Sequence, residues 1–334
     1  MHQVDVALLG FGNVGRAFAN YAGRLRDQRI RLRIRAVADR SGGLRVEDAA
    51  ALERIIHHKT SGRPIRELAG SSLIDDARAF IERLPASGVR VLVESLPTNL
   101  KDGQPALGLL TAALQAGIHV VTVDKGPLVH GFDLLRQAAQ SGGARLGFTG
   151  TTGVSLPGDL KGESVIEIRG VLNGTTNYIL TEMQQRGASF AEALRQAQAE
   201  GVAEPDPSLD VDGWDTAVKT LILAQALMNA DTRLDEVTRI GISEETDELI
   251  RIGRDSHRVV RLVGRARIYR GRVRVSVAPK LVANDSPFYA VDGTSKLARF
   301  RTASQREVIA AARSGRDAIA QTIVDDICGV LQGS

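Results

Sequence analysis

Over its first 150 residues the chain alternates short runs rich in β-branched residues with longer amphipathic segments, and this alternation limits the possible folds more than any other feature. The runs are Val4–Leu9, Leu32–Ala38, Val89–Glu94, Ile118–Val123 and Arg145–Phe148; between them lie Val14–Leu25, Ala106–Ala116 and Phe132–Ser141. Strands that are apolar almost throughout need cover on both faces, and the longer segments are of the length that helical crossovers require. The expected fold class is therefore α/β, a doubly wound parallel sheet over residues 1–150.

After residue 150 the pattern changes to that of an α+β domain, expected over residues 151–304. A strand at Val165–Gly170 precedes helices at about 177–186 and at Phe190–Glu200, the second opened by the capping-box pair Ser189 and Glu192. A longer helix is expected over Asp215–Asn229. A hairpin follows, Ala266–Tyr269 with Val273–Val277, turning near Arg270-Gly271. The tail from Gln305 to Leu331 reads as helix, with an apolar face that is expected to pack back on the first domain.

Directly after the first strand stands Gly10-Phe11-Gly12-Asn13-Val14-Gly15, a G-x-G-x-x-G that opens a helix. Its glycines permit a tight turn, close backbone approach to a pyrophosphate, and close packing of helix on strand. The next strand ends at Asp39, near the expected spacing of about 20 residues, where an acid can bind both hydroxyls of an adenine ribose. Arg40 follows it and can pair with a 2′-phosphate instead. The motif thus predicts a dinucleotide and leaves NAD and NADP both open.

Charge narrows the remaining chemistry. With 43 Lys and Arg against 39 Asp and Glu the chain is close to balanced, and only seven of the 43 are lysines. Arginine supplies generic surface charge, so each lysine carries more information as a proton-transfer group. Arg31, Arg33 and Arg35 alternate with apolar residues as the wet face of a strand does, and only 4% of residues are aromatic, so no nucleic acid is expected as a partner. No membrane is expected either, since no apolar run approaches the roughly 18 residues of a spanning helix. The single Cys328 excludes an internal disulfide, and with no secretory leader in evidence a cytoplasmic location is expected.

The second half carries two polar clusters. Asn173-Gly174-Thr175-Thr176-Asn177-Tyr178 forms a glycine-bearing turn between strand and helix, which offers hydroxyls and backbone N–H groups to an anion. Downstream, Glu204, Asp206, Asp210, Asp212 and Asp215 place five carboxylates within twelve residues, ahead of Lys219. Asp215 and Lys219 stand at i, i+4 and can share one helix face. A calcium loop counted from Asp206 would need its bidentate glutamate where Ala217 stands.

Together these segments resemble homoserine dehydrogenase. The similar elements are Gly10–Gly15, Leu96-Pro97-Thr98-Asn99-Leu100-Lys101, Val121-Thr122-Val123-Asp124-Lys125-Gly126-Pro127-Leu128, the turn Asn173–Tyr178, and Glu204-Pro205-Asp206-Pro207 through Asp215 and Lys219. The resemblance implies a Rossmann domain, a catalytic and dimerisation domain, and reversible hydride transfer between NAD(P)H and aspartate 4-semialdehyde, on the route to threonine and methionine. It implies Lys219 as proton donor, with Lys125 and Asp215 as its catalytic companions. Glu204 and Asp210 would bind a substrate ammonium, and Gly174 and Thr175 its carboxylate. Ser95, Pro97, Thr98, Lys125 and Gly315 would line the cofactor. A zwitterionic substrate and a homodimer are the implied partners.

The chemistry of the residues agrees. Hydride arriving at an aldehyde places negative charge on oxygen, which calls for a cation that can also give a proton. Lysine does both.

Three positions depart from the family. Asp124 replaces an asparagine, Thr149 stands at the glutamate of a cation-holding loop, and Ala311-Ala312-Arg313-Ser314-Gly315 replaces a glycine-rich loop beside the cofactor. No metal is expected. The chain is read as the short form, without a C-terminal ACT domain. Two alternatives stay open: a paralogue acting on another small amino- or hydroxy-acid, and a non-catalytic dinucleotide-binding sensor, against which the retained lysines and Asp215 speak.

Overall fold

A computed structural model describes residues 2–25, 30–68, 73–74, 76–160, 162–312 and 316–332. The chain divides into two compact units, one of Met1–Thr151 with Gly315–Ser334, the other of Thr152–Ser314.

In the first unit the elements run β1 (His2–Leu9), α1 (Asn13–Arg24), β2 (Ile30–Asp39), β3 (Gly42–Arg45), α2 (Ala49–Thr60), α3 (Ala77–Arg83), β4 (Val91–Glu94), α4 (Ala106–Gln115), β5 (His119–Thr122), α5 (Lys125–Ser141) and β6 (Leu146–Gly147). They form one sheet in the order β3-β2-β1-β4-β5-β6. All neighbours are parallel except β3, which folds back antiparallel on β2 from Asp39↔Gly42. The order reverses between β1 and β4, so the carboxyl ends Leu9 and Glu94 flank the crevice where doubly wound sheets take their ligands.

Apolar alternation drives this assembly. Val4, Val6 and Leu8 of β1 join Val91 and Val93 of β4, Phe18 of α1, and Ile323, Val324, Ile327 and Val330 of the C-terminal helix, Arg316–Gln332, in one buried cluster. Each fully buried aliphatic side chain of this kind contributes about 1.5–3 kcal/mol.

The tail differs from the continuous helix expected from residue 305. Glu307–Ala312 is a strand, β12, paired antiparallel with its neighbour, and its burial alternates strictly residue by residue. Val308 and Ile309 therefore lie on opposite faces of a sheet. The period of 2, favoured by a partner edge, prevails over the helix propensity of the alanines.

The second unit comprises β7 (Val165–Val171), α6 (Gly174–Arg186), α7 (Phe190–Ala199), α8 (Ser208–Val211), α9 (Trp214–Met228), β8 (Thr238–Arg239), α10 (Thr246–Asp255), β9 (Val259–Tyr269), β10 (Arg272–Val282), β11 (Lys296–Thr302) and β12. Its sheet runs β12-β11-β7-β9-β10-β8. The Ser189–Glu192 capping box forms as the sequence suggests. The hairpin is longer than expected, and its turn residues Arg270 and Gly271 take φ of 50° and 78°, the signs a two-residue hairpin turn demands.

Helix α9 packs on β7, β9 and β10. Its approach depends on Gly264 of β9, where a Cβ would overlap Thr220. On the sheet face turned away from α9, Glu167 is 3% exposed and pairs with Arg265, with Arg169 at 3.3 Å and with Arg301 at 3.5 Å. No helix among the described residues is long and apolar enough to cross a membrane.

Candidate active site

In the first unit the turn after β1 is built around missing side chains. Gly10 has φ +96°, and a Cβ there would come within 2.5 Å of the Ser95 carbonyl group. One at Gly15 would run into the Gly10 carbonyl oxygen, which also accepts from Ser95 Oγ at 2.8 Å. Gly12 is different: a Cβ there would meet no protein atom within 4 Å. Packing therefore explains Gly10 and Gly15, while Gly12 opens onto space that a ligand can approach. It is also the N-cap of α1 and makes no side-chain cap, so the first N–H groups of that helix keep their capacity to bind an anion. Phe11 is buried, Val14 packs against the core, and Asn13 accepts from Arg16 at 2.8 Å. These residues fit a dinucleotide pyrophosphate.

Asp39 ends β2 where an adenine ribose would lie, and its carboxylate already has partners. Lys59 Nζ donates to one oxygen at 2.7 Å, and the Ser41 N–H and hydroxyl donate to the other at 2.7 and 2.6 Å. Burial pushes this carboxyl up, but the Lys59 ammonium and the Ser41 donors outweigh it and hold Asp39 below the ordinary carboxylate value. Arg40 beside it is exposed. From sequence alone the polar helix end His57-His58-Lys59 reads more readily as solvated than as a phosphate contact, and the fold is what brings Lys59 to Asp39.

The ends of β4 and β5 hold a buried acid pair. Glu94 is 0% and Asp124 1% exposed. Glu94 accepts from the Leu96 N–H at 2.6 Å and from Thr122 Oγ1 at 2.5 Å; Asp124 caps α5 by accepting from the Gly126 N–H at 2.8 Å. Burial, and then the charge of Asp124, push the Glu94 carboxyl up to about 8. Asp124 is raised as well by burial, against the Gly126 N–H, Thr98 and Lys125. Lys125 is the first residue of α5 and half-buried; Pro97 and Thr98 are exposed. Thr149, through its N–H at 2.9 Å and its hydroxyl at 2.6 Å, donates to Asp326 of the C-terminal helix. Gly315 lies outside the described residues.

In the second unit the polar turn and the acidic segment meet. Lys219 Nζ donates to Asp215 Oδ2 at 2.5 Å and to the Leu172 carbonyl at 3.0 Å, with the two side chains 12% and 13% exposed. Two of the three donors of the ammonium are thereby taken up, and its position is fixed from both α9 and the residue that follows β7. Asn173 Nδ2 donates to Asp215 Oδ2 at 2.9 Å and to Asp210 Oδ1 at 2.6 Å, which draws α8 and α9 to the start of α6. Gly153 lies against the same ammonium: a Cβ there would stand 3.5 Å from Nζ.

Thr175 departs from the simplest expectation, since its hydroxyl donates to the Val202 carbonyl at 3.1 Å. A hydroxyl so engaged can only accept, and the donors left to an anion at this turn are the backbone N–H groups of Gly174 and Thr175. Glu204 is exposed on the loop after α7 and lies outside the Asn173 hydrogen bonds.

The arrangement suits a small zwitterion: a lysine ammonium held by one carboxylate, a second carboxylate nearby, and backbone donors at a helix start. Comparison with known proteins agrees. Residues 10–149 match the NAD-binding domain of homoserine dehydrogenase and residues 155–328 match the homoserine dehydrogenase family. A homoserine dehydrogenase of Methanocaldococcus jannaschii is 31% identical over 342 residues, 99% of each chain. An NAD(+)-dependent homoserine dehydrogenase of Pseudomonas canavaninivorans is 32% identical over 353 residues, 100% of this chain and 98% of that one. A hyperthermophilic archaeal homoserine dehydrogenase solved in complex with NADPH superposes with a TM-score of 0.78 at 28% identity, covering 99% of this chain and 98% of that chain. Two domain matches that between them span most of the sequence, and relatives alike from end to end, carry one conclusion: the chain belongs to the homoserine dehydrogenase family.

Proposed function

We propose that this chain catalyses reversible hydride transfer between L-homoserine and L-aspartate 4-semialdehyde with NAD or NADP, in the biosynthesis of threonine and methionine. The observation that carries the reading is the Lys219–Asp215 pair tied through Asn173 to Asp210. Lysine, unlike arginine, can both stabilise an alkoxide and give it a proton.

Lys219, in this reading, gives its proton to the aldehyde oxygen as charge develops, and takes it back in the oxidative direction. Asp215 orients the ammonium. Lys125 adds positive charge to the catalytic machinery. Asp210 and Glu204 hold the substrate ammonium, and the Gly174 and Thr175 N–H groups its carboxylate, so that the substrate is bound at both ends. A bound nicotinamide supplies the hydride acceptor in one direction and the donor in the other. The Gly10–Gly15 turn, Asp39, Ser95, Pro97 and Thr98 would hold it. A cytoplasmic location and a homodimer joined through the second unit belong to the same proposal; cell fractionation and sedimentation of the purified protein check them.

Nicotinamide absorbance, followed with L-homoserine and with L-aspartate 4-semialdehyde against each cofactor, tests the reaction. Turnover is expected in both directions. Cofactor binding without turnover of either substrate would instead favour a paralogue acting on another small amino- or hydroxy-acid.

The Lys59–Asp39 contact makes a separate prediction. Ribose hydroxyls need the acid, whereas a 2′-phosphate beside it needs Lys59 and Arg40 to offset its charge. Lys59→Ala is therefore expected to raise KM for NADP(H) about tenfold and KM for NAD(H) by less than about threefold. Equal changes for the two cofactors would refute a role for Lys59 in choosing between them.

A further inference from the structure

We propose that Asn173 is a positioning residue whose side-chain amide fixes Asp210 and Asp215 relative to one another, an inference that rests on the functional reading above and gives the Asn173 tie a consequence for both substrate binding and turnover. Asn173 is 4% exposed and sits where β7 ends and α6 begins. Its Oδ1 accepts from the Thr176 N–H at 2.8 Å and from Thr176 Oγ1 at 3.0 Å, and its Nδ2 donates to Asp210 at 2.6 Å and to Asp215 at 2.9 Å. These four bonds use the whole capacity of an amide, two acceptor sites and two donors. They also fix its orientation, because a flipped amide would turn oxygen toward two carboxylates and NH2 toward the donors of a helix start.

Two anions drawn to one point need a donor between them. A lysine or arginine in that place would hold both but would neutralise Asp210, the group assigned to the substrate ammonium. An amide holds both and adds no charge, which leaves Asp210 able to attract a cation. Asp215 Oδ2 receives Asn173 and Lys219 together, so the position of the proton donor also depends on this amide. Asn173 in this way couples the end of the site that binds the substrate to the end that moves the proton.

Asn173 is also the N-cap of α6, and the test must separate that role. Serine and aspartate both cap helices well, and neither can donate to the two acids as the amide does. Asn173→Ser is expected to keep Tm within about 3 °C of wild type, whereas Asn173→Asp, which sets a third carboxylate against two others, should lower Tm by more than that although it caps equally well. Asn173→Ser should lower kcat about 100-fold and raise KM for L-homoserine about tenfold, with KM for the cofactor unchanged. Asn173→Asp, of the same shape but bringing a third carboxylate, should fall further. Either variant, folded and with kcat and KM for homoserine within about twofold of wild type, would overturn the proposal. A variant that lowers Tm while leaving both constants intact would do the same, since that is what a cap alone predicts. Lys219→Ala, assayed alongside, keeps the two levels distinct. If it is inactive while the Asn173 variants are normal, only the positioning role fails; if it is active, the functional reading fails first.

Discussion

Replacing Lys219 by alanine is expected to lower kcat for L-homoserine oxidation by about three orders of magnitude or more, with binding of reduced cofactor little changed. The size follows from two functions being lost in one step, charge stabilisation at the substrate oxygen and the proton itself. Lys219→Arg should recover little of it: guanidinium keeps the charge but does not give up its proton, and its planar fork does not fit the space between Asp215 Oδ2 and the Leu172 carbonyl that a compact ammonium fills. Asp215→Asn keeps the shape and part of the hydrogen bonding, so a smaller loss of about 10- to 100-fold is expected. Steady-state kinetics with a melting curve for each variant check this order. Lys219→Ala retaining more than a tenth of wild-type kcat would sink the assignment of the proton donor.

Much of this site could be read in the sequence because its elements are local. The i, i+4 pair Asp215 and Lys219 lies on α9 as spacing requires, and the G-x-G-x-x-G turn follows its strand directly. The Ser189 capping box is likewise a matter of four neighbouring residues. Harder to read from sequence is what pairing at a distance sets. Asn173 meets its acids across 37 and 42 residues, and Lys59 meets Asp39 across 20. No periodicity encodes such contacts. The strand β12 escaped for a related reason: Val-Ile-Ala-Ala-Ala is compatible with either period, and only the free edge of β11 decides it. Glu94 did leave a signal. A glutamate closing Val91-Leu92-Val93-Glu94, a run buried throughout, is an acid where a parallel sheet tolerates none without partners.

The pairing of Glu94 with Asp124 gives the departure at residue 124 a physical meaning. Where the family has a neutral asparagine, this chain has a second carboxyl at the end of the neighbouring strand. Two buried acids at one place do not both ionise cheaply. The structure resolves the conflict through unequal support: Asp124 has the Gly126 N–H, Thr98 and the adjacent Lys125, whereas Glu94 has Thr122 and Leu96 N–H against complete burial. Glu94 is accordingly the one of the pair whose carboxyl is pushed up to about 8, and Thr122, whose hydroxyl donates to it, links the two strands.

Stability should therefore depend on pH in a way that Glu94→Gln abolishes. In the unfolded chain this carboxyl ionises near its ordinary 4.5, and in the folded chain near 8, so between those values folding takes up a proton. Stability from this source is complete below pH 4.5, declines by about 1.4 kcal/mol per pH unit as pH rises, and has been lost entirely above pH 8, a total of about 5 kcal/mol at most. Glutamine reproduces the protonated acid: its oxygen can accept from the Leu96 N–H and its NH2 can donate to Thr122 Oγ1, with nothing to titrate. Calorimetric scans are expected to show wild-type Tm falling from pH 5 to pH 9 by more than that of Glu94→Gln. The two proteins should melt within about 2 °C of each other at pH 5, and the variant should melt roughly 5–15 °C higher at pH 9. Asp124→Asn should also flatten the wild-type curve, by removing the like charge that helps to keep Glu94 neutral, though less completely because burial remains. Wild-type and Glu94→Gln curves that run parallel across this range would mean that Glu94 is already ionised in the folded protein, and that Thr122 and Leu96 stabilise its charge far better than their two hydrogen bonds imply.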